Sequence, residues 1–320
     1  MIKAAVIGNP IKHSRSPLIH NFWLEKFNVD GSYEPIKAEN NKEFEKTVTR
    51  LVDDGYSGFN VTIPYKELAH KICDEYIDIG HISHYPSDLK AANTVKIQNG
   101  KLIGYNTDFF GFYKTIKSPL NAFNKNVIIL GAGGASRSIA FGLANLKKYF
   151  WDSSSEPILT ILNRNEDKAK TLIDDIYRSN LTTKKMNEKL KLVSGNFDDI
   201  YERIKGCNYI INTTPIGMSE ENAQMPFDIN CLKDGLTIKG NNIMKVYDII
   251  YNPLETLFLK EAEKMLLLTH NGLGMLIWQA AVAFNIFFLD SDIENFEDKY
   301  LKKFNEINPE LYAKLKREIG

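Results

Sequence analysis

The chain has 320 residues, 43% of them hydrophobic and 25% charged, so it is long enough for two hydrophobic cores and has the composition of a globular protein. Its 40 basic and 40 acidic residues cancel, which argues against binding to nucleic acid or to an acidic membrane surface through net charge. Three scattered cysteines without C-x-x-C spacing argue against a disulfide framework and favour a cytoplasmic location.

Strand and helix patterns alternate through the first 117 residues, as in an α/β domain. The predicted strands are Ala4–Ile7, Tyr33–Ile36, Phe59–Ile63, Ala92–Ile97 and Leu102–Gly104. The predicted helices are Leu18–Phe27, Glu43–Asp54, Tyr65–Tyr76 and Phe109–Ile116. Ser16 before Pro17 predicts the N-cap of the first helix, and Asn99-Gly100 predicts a hairpin between the last two strands. Because a strand follows Met1 almost at once, we expect no signal peptide.

A glycine-rich segment opens the second half of the chain. The apolar strand Val127–Leu130 runs into Gly131-Ala132-Gly133-Gly134 and then into a helical pattern. Glycines at such a turn let the backbone approach a pyrophosphate, which binds the free N–H groups of the helix N-terminus. The third position of the dinucleotide fingerprint holds Ser136 instead of glycine or alanine, so a plain strand-to-helix turn is the alternative.

The elements after this segment continue the alternation. Strands are predicted at Ile158–Leu162, Lys191–Val193, Tyr209–Asn212, Val246–Ile250 and Leu266–Leu268. Helices are predicted at Ser136–Phe150, Lys168–Arg178, Pro253–Lys264, Gly274–Leu289 and, as a charged tail, Ile293–Ile319. This succession indicates a doubly wound parallel sheet. With a boundary near Ser118-Pro119, we expect an α/β domain of residues 1–117, completed by helices of residues 273–320, and a Rossmann-type domain of residues 118–272.

The apolar run Met275–Leu289 bears on membrane association. It contains Gln279 and Asn285 and is too short to span a bilayer, so we expect a buried helix that packs on the first domain. A buried amide such as that of Gln279 needs a partner, which is either a backbone group or a ligand hydroxyl.

Two charged residues occupy predicted first turns of helices. A cation at Lys66 faces the positive end of the helix dipole, which favours loss of its proton and makes it a candidate acid or base; the alternative is a surface lysine. A carboxylate at Asp108 is favoured by the same dipole, and its alternative role is helix stabilisation.

Other polar residues have two interpretations each. Ser14 and Ser16 are either donors to a ligand carboxylate or local caps. Asn60 and Thr62 lie on one face of a strand that is either functional or an exposed edge, and Asn93 either binds a ligand or simply begins a hairpin strand.

Asn163-Arg164 follows the second strand of the predicted Rossmann-type domain. An arginine there accommodates the 2′-phosphate of NADP, where NAD-specific sites carry an acidic residue; Lys168 adds charge, and a solvated arginine is the alternative. His81 and His84 have the spacing of a weak metal pair, but no further ligand lies nearby in sequence, so we expect no metal.

Taken together, these segments resemble the shikimate dehydrogenase family along essentially the whole chain. The matching blocks, in order, are Gly8-Asn9-Pro10, Ser14-x-Ser16-Pro17, Asn60 to Lys66, Ala92-Asn93-Thr94, Gly104 to Asp108, Gly131 to Arg137, Asn163-Arg164, Asn212 to Met218, Tyr251-Asn252-Pro253, and Gly272 to Gln279. Each block alone is modest, but their common order is highly specific.

The resemblance implies an oxidoreductase that interconverts 3-dehydroshikimate and shikimate with NADP, in aromatic amino-acid biosynthesis. Lys66 would be the acid/base group, with Asp108 holding a substrate hydroxyl. The implied substrate ligands are Ser14, Ser16 and Tyr251 for the carboxylate, and Asn60, Thr62, Asn93 and Gln279 for the ring hydroxyls. The implied cofactor ligands are Gly131, Ala132, Gly133, Gly134 and Ala135 for the pyrophosphate, Asn163, Arg164 and Lys168 for the 2′-phosphate, and Thr213, Met218, Ile249 and Gly272 at the nicotinamide.

The chain departs from the family pattern at Lys90, Asn165, Lys168 and Asn271, which concern cofactor affinity more than the chemistry. Two rival functions remain: a quinate/shikimate dehydrogenase using NAD, which Arg164 disfavours, and a catalytically silent nucleotide sensor, which Lys66 with Asp108 disfavours. We expect a small-molecule substrate, neither nucleic acid nor membrane as partner, and a monomer or homodimer.

Overall fold

The fold was analysed in a computed structural model. The structure describes residues 1–77, 79, 89–116, 126–145, 156–183, 190–219, 221, 223–235, 244–289 and 296–319. The predicted boundary at Ser118-Pro119 and the histidines at 81 and 84 lie outside these residues. Within them, no helix combines the length and the apolar character needed to cross a membrane.

The chain forms two compact units. The first comprises Met1–Phe112 and Leu276–Glu318, and the second comprises Tyr113–Met275 and Ile319–Gly320.

The first unit is built on a mixed sheet. Its described strands are β1 (Ile2–Gly8), β2 (Gly31–Lys37), β3 (Gly58–Val61), β4 (Glu75–Tyr76), β5 (Thr94–Gln98) and β6 (Lys101–Tyr105), in the order β2-β1-β3-β5-β6-β4. Its first four helices are α1 (Ser16–Phe27), α2 (Asn41–Asp53), α3 (Lys66–Ile72) and α4 (Asp108–Thr115). β3 lies inside the sheet between a parallel and an antiparallel neighbour, so its residues do not form an exposed edge.

The predicted hairpin is confirmed. β5 and β6 pair antiparallel, and both turn residues have positive φ, 53° at Asn99 and 76° at Gly100. This backbone conformation suits Asn-Gly and matches the right-handed twist of the two strands.

The second unit is an all-parallel sheet with the Rossmann strand order. The strands β7 (Asn126–Leu130), β8 (Ile158–Leu162), β9 (Lys191–Gly195), β10 (Tyr209–Asn212), β11 (Lys245–Asp248) and β12 (Leu268–His270) are arranged as β12-β11-β10-β7-β8-β9. The helices described here are α5 (Gly134–Asn145), α6 (Glu166–Thr183), α7 (Ile200–Arg203), α8 (Leu232–Gly235) and α9 (Leu257–Lys264). The doubly wound sheet is therefore confirmed, and its topological switch point lies between β7 and β10.

The chain ends in three more helices, α10 (Leu273–Phe284), α11 (Phe296–Lys299) and α12 (Leu301–Ile319), with a π-helical turn at Asn285–Leu289. Most apolar residues from Ile277 to Phe288 are buried in the first unit. There they form an aromatic core whose members are Trp23, Phe27, Phe284, Phe288 and Phe304.

Three sequence predictions for the first unit were wrong in detail. Ser16 is the first helical residue of α1 and not its cap, because Arg15 occupies the N-cap position. The helix predicted to reach Tyr76 ends at Ile72, since Cys73 turns to extended backbone and Glu75–Tyr76 pairs with β6. Ile63 lies beyond β3 and is 49% exposed.

Boundaries also shifted in the second unit. β11 ends at Asp248, whose carboxylate accepts a hydrogen bond from the Ile250 N–H. Thr256 caps α9, so that helix begins after the predicted Pro253. Leu266 has φ 60° in the turn that follows, which moves the start of β12 to Leu268.

Candidate active site

Two charged side chains meet in the first unit. Lys66 is the first residue of α3 and Asp108 the first of α4, and the Lys66 Nζ donates to the Asp108 Oδ2 at 2.6 Å. The lysine side chain is 17% exposed and the aspartate 6%. A short, charge-assisted bond with so little water around it fixes the direction of the amine. Two residues that sequence reasoning singled out separately therefore act as one pair.

The second carboxylate oxygen of Asp108 is also satisfied. Its Oδ1 accepts from the Asn93 Nδ2 at 2.9 Å, while the Asp108 backbone N–H donates to the Asn106 Oδ1 at 3.2 Å. The Asn93 Oδ1 in turn accepts from the Thr107 N–H at 2.8 Å. Asn93 thus precedes β5 as a buried polar hub, and its side chain does more than begin a hairpin.

Gln279 of α10 joins this cluster within the first unit. The Gln279 Oε1 lies 3.2 Å from both the Asn93 Nδ2 and the Thr107 Oγ1, and its Nε2 donates to the Leu276 carbonyl at 3.0 Å. The amide predicted to need a partner has a backbone partner, and it is only partly buried. Gln279 therefore lies beside Asn93, which binds the Asp108 carboxylate, and part of the Gln279 side chain is exposed to solvent.

Asn60 lies one step further from the charged pair. Its Nδ2 donates to the Asn93 carbonyl at 3.1 Å and to the Thr94 Oγ1 at 2.9 Å, and its Oδ1 accepts from the Tyr33 hydroxyl at 2.7 Å. Both amide hydrogens are thus directed at protein acceptors. The structure excludes an exposed edge for Asn60, which is 6% exposed in the central strand β3.

Thr62 follows β3 immediately. Its backbone N–H donates to the Ile7 carbonyl at 3.0 Å, and its side chain is partly exposed. A Cβ on Gly8 would lie 2.2 Å from the Thr62 Cγ2. The glycine of the first family block is therefore required to make room for this threonine.

Ser14, Arg15 and Ser16, which we call the serine loop, lead into α1, of which Ser16 is the first residue. The Ser14 Oγ accepts from the Ser16 N–H at 3.4 Å, and Ser16 is 7% exposed. The serines therefore lie on one tight turn at the start of a 12-residue helix.

The buried histidine His20 stacks on Tyr33, whose hydroxyl donates to Asn60. The His20 ring stacks on the Tyr33 ring at 3.9 Å with 2° between the planes, and neither ring nitrogen of His20 has a hydrogen-bond partner among the described residues. Burial lowers the pKa of His20 to about 3, so the ring is neutral. Sequence reasoning missed this residue because its neighbours in space, such as Phe284 and Phe288, are distant in the chain.

In the second unit, the glycine segment lies at the switch point. Gly131 has φ 108°, and a Cβ there would lie 2.6 Å from the Thr213 Oγ1, at the end of β10. A Cβ on Gly133 would meet nothing within 4 Å, so the backbone there is open to a ligand. The turn Gly131–Ala135 leads into α5 at Gly134. Ser136, the departure from the fingerprint, donates from its Oγ to the Gly131 carbonyl at 2.6 Å and holds the turn closed.

The loop after β8 carries the second group of cofactor candidates. The Asn163 Nδ2 donates to the Asn165 carbonyl at 2.8 Å, which shapes the loop before α6. Arg164 and Lys168 are both exposed, and within the described residues neither forms an ion pair. Two cations at the carboxyl end of β8 suit a phosphate that is presented from solvent.

The predicted nicotinamide residues follow the carboxyl ends of three strands: Thr213 and Met218 follow β10, Ile249 follows β11, and Gly272 follows β12. The Thr213 hydroxyl donates to the Leu130 carbonyl at 2.7 Å, and Met218 is 45% exposed. A Cβ on Gly272 would lie 1.8 Å from the Ile249 carbonyl oxygen, so only glycine fits there. Tyr251, two residues after Ile249 in the chain, is partly buried.

Asp248, at the end of β11, is a functional candidate that sequence reasoning missed. Its Oδ1 accepts from the Asn212 Nδ2 at 3.1 Å and the Ile250 N–H at 3.0 Å, and its Oδ2 accepts from the Thr256 Oγ1 at 2.8 Å. Burial raises the pKa of Asp248 to about 6. The sequence signal that could have identified Asp248 is a carboxylate at the end of strand β11, because the carboxyl ends of parallel strands form the ligand-binding edge of such a sheet.

No group of three or more His, Cys, Asp or Glu side chains among the described residues is arranged to hold a metal ion.

Comparison with known proteins gives consistent matches. The sequence model of the shikimate dehydrogenase substrate binding domain matches residues 6–95. A shikimate dehydrogenase (NADP(+)) of Methanococcus vannielii is 39% identical over 283 residues, covering 88% of this chain and 89% of that protein.

Solved structures agree with the sequence matches. A shikimate dehydrogenase crystallised with NADP+ has a TM-score of 0.71 and 34% identity, covering 95% of this chain and 96% of its own. The enzyme of Thermus thermophilus, in complex with NADP(H) and shikimate, has a TM-score of 0.69 and 28% identity, covering 90% of this chain and 93% of its own.

Proposed function

Because this chain belongs to the shikimate dehydrogenase family, we propose that it reversibly reduces 3-dehydroshikimate to shikimate with NADPH. The observation that carries the proposal is the largely buried Lys66–Asp108 pair, in which the amine that would donate the proton lies 2.6 Å from the carboxylate. The reaction is one step of aromatic amino-acid biosynthesis.

The residues of the first unit suit the proton side of this reaction. When bound, NADPH would supply the hydride for the ketone carbon and would be oxidised to NADP+. Lys66 donates a proton from its Nζ to the ketone oxygen as that oxygen becomes a hydroxyl, and takes it back in the reverse direction. Asp108 keeps the amine aimed and accepts a hydrogen bond from a neighbouring substrate hydroxyl.

The substrate ligands are proposed on geometry together with the family pattern. Ser14 and Ser16 donate to the substrate carboxylate, with Tyr251 as a further donor, and Thr62, Asn93 and Gln279 bind ring hydroxyls. The amide hydrogens of both asparagines already have protein acceptors, which are Thr107 and Asp108 for Asn93, and Asn93 and Thr94 for Asn60. Asn60 differs because one of its acceptors is the Asn93 carbonyl itself. Its proposed role is to hold Asn93 in place.

The second unit fits NADP. The open backbone at Gly133, next to Gly131, Ala132, Gly134 and Ala135, admits a pyrophosphate at the N-terminus of α5. Arg164 and Lys168, with Asn163 shaping their loop, bind the 2′-phosphate. Thr213, Met218, Ile249 and Gly272 line the nicotinamide end.

A single assay discriminates the proposal from its rivals. Absorbance of the reduced nicotinamide is followed with shikimate or quinate, each with NADP or NAD. We expect turnover with shikimate and NADP; a preference for quinate and NAD would favour the quinate/shikimate dehydrogenase, and no turnover with NADP still bound would favour the nucleotide sensor.

The acid/base role is tested by Lys66→Met, which keeps the length and apolar stem of the side chain. We expect kcat to fall by about 10³-fold while the Kd for NADP stays within twofold. Lys71→Met is the matched control, since Lys71 is an exposed lysine on the same helix α3. If Lys66→Met loses NADP binding together with turnover, the lysine is structural and the mechanism is wrong.

A cytoplasmic location and a monomeric or homodimeric state stay predictions. Light scattering after size-exclusion chromatography measures the second.

A further inference from the structure

We propose that the last turn of the chain's final helix, α12, positions the serine loop for the substrate carboxylate, and that Arg15 transmits this effect. The inference rests on the proposed function, because it gives the two serines that ligand. It adds a positioning residue, Arg15, and a positioning element, the end of α12.

Arg15 joins the two ends of the chain. Its Nη2 donates to the backbone carbonyl of Glu318 at 2.8 Å, and its Nη1 lies 3.7 Å from the Glu318 Oε2. The arginine side chain is 25% exposed and the Glu318 side chain 48%. The contact therefore depends on the backbone oxygen more than on the exposed carboxylate.

The acceptor is a favourable one for a cation. Glu318 lies in the last turn of the 19-residue helix α12, where carbonyl groups have no partner within the helix. The negative end of the helix dipole also lies there, so a guanidinium bound to that carbonyl is stabilised twice.

Fixing Arg15 fixes both serines because the turn is short. Arg15 is the N-cap of α1, and its carbonyl accepts from the Ile19 N–H at 3.1 Å. On one side of it the Ser14 N–H donates to the Ile11 carbonyl at 3.0 Å, and on the other the Ser16 N–H donates to the Ser14 Oγ. A displacement of Arg15 would move both hydroxyl groups.

The remaining contacts make α12 a stiff support for this turn. The Trp23 Nε1 of α1 donates to the Asn308 Oδ1 of α12 at 3.3 Å, and the Trp23 and Phe304 rings pack at 4.9 Å. Lys26 and Glu310 also form an ion pair at 2.7 Å, but both side chains are exposed, so this pair adds little to the support. The two helices run antiparallel, since Arg15 at the beginning of α1 contacts Glu318 at the end of α12, and Phe27 at the end of α1 packs on Tyr300 just before α12.

The test compares substitutions at Arg15 with a substitution at Lys26, which also links α1 to α12 but lies away from the serines. Arg15→Ala removes the contact, Arg15→Lys keeps the charge and one donor, and Lys26→Ala breaks the comparable ion pair to Glu310. For Arg15→Ala we expect the KM for shikimate to rise roughly five- to tenfold, with kcat and the KM for NADP within twofold. Arg15→Lys should recover part of the loss, and Lys26→Ala should leave all three constants unchanged.

A shortened chain separates positioning from the charge of Arg15. A chain that ends at Leu315 keeps the buried side chains of α12, which are Phe304, Asn308, Leu311 and Leu315. It lacks the Glu318 carbonyl, and its new carboxylate lies about 4.5 Å short of that position. We expect its KM for shikimate to rise as in Arg15→Ala.

Each result is compared with the wild-type chain, which must first show turnover of shikimate with NADP. An unchanged KM in Arg15→Ala, an equal rise in Lys26→Ala, or a normal KM in a folded shortened chain would each overturn the positioning role and leave the proposed function standing. A wild-type chain without turnover would overturn both. Melting temperatures of all variants show which changes in KM come with loss of folding. If the shortened chain does not fold, the Arg15 substitutions alone test the positioning role.

Discussion

The two units each bury one aspartate at a functional edge, and their surroundings give these residues opposite characters. Asp108 of the first unit faces the ammonium of Lys66 at 2.6 Å, so its charge has a partner. Asp248 of the second unit accepts hydrogen bonds from neutral groups of Asn212, Ile250 and Thr256, and burial raises its pKa to about 6. The same residue type is thus suited to proton chemistry in one unit and to holding loops in the other.

The largest expected effect comes from breaking the charged pair. Asp108→Asn leaves the Lys66 amine without its anionic partner and replaces an acceptor oxygen by a donor. We expect kcat to fall by about 10²- to 10³-fold, with the Kd for NADP within twofold. Steady-state kinetics and a separate NADP titration measure the two, and a kcat within threefold of the wild type would show that Asp108 has only a structural role.

The second prediction concerns the loop-holding aspartate. Asp248→Ala leaves three buried donors without an acceptor, so we expect the free energy of unfolding to fall by about 3 kcal/mol. Asp248→Asn keeps one acceptor oxygen, and it should lose about 1 kcal/mol or less. In both variants kcat should fall less than tenfold, because no group that transfers a proton is removed; urea denaturation and kinetics check the pair, and a kcat loss as large as that of Asp108→Asn would remove the distinction between the two aspartates.

The third prediction separates the buried titrating groups of the two units by pH. Folding raises the pKa of Asp248 from 3.8 to about 6, so this residue adds stability below pH 4 and loses that contribution as the pH rises through 6. Folding lowers the pKa of His20 from 6.5 to about 3, so this residue adds stability above pH 6.5 and loses that contribution as the pH falls toward 3.

Between pH 4 and 6 the two contributions therefore oppose each other. Relative to the wild type, His20→Phe should gain about 1.4 kcal/mol of unfolding free energy per pH unit as the pH falls, and Asp248→Asn should lose a similar amount. Chemical denaturation at three pH values measures these slopes, which are independent of any constant packing cost. Parallel curves for wild type and variants would mean that neither group titrates differently in the folded state.

Much of the architecture was accessible from local patterns. The alternation of apolar strands with helices predicted both α/β units, and Asn99-Gly100 predicted a hairpin whose positive φ values only such residues adopt easily. The continued alternation of strands and helices after Val127–Leu130 predicted the doubly wound parallel sheet of the second unit. These features depend on residues adjacent in the chain, so periodicity and turn chemistry are sufficient.

Element ends were less accessible, because contacts from elsewhere decide them. β11 ends at Asp248, whose carboxylate accepts a hydrogen bond from the Ile250 N–H. α3 ends before Glu75–Tyr76, which pairs with β6. The candidate residues Lys66 and Asp108 were found singly by their helix positions. Only the family resemblance brought the two together, because local patterns do not show a contact between residues 42 positions apart in the chain.

Residue types and their short-range spacing were enough to identify the fold class, the family and the chemical groups available to the reaction. Folding alone decided which of those groups touch: the ammonium with its carboxylate, a neutral histidine on Tyr33, and the end of the last helix on Arg15. The reason is physical. Propensity and periodicity act over a few residues, whereas desolvation and hydrogen bonding act on whatever the packed chain brings within about 3 Å.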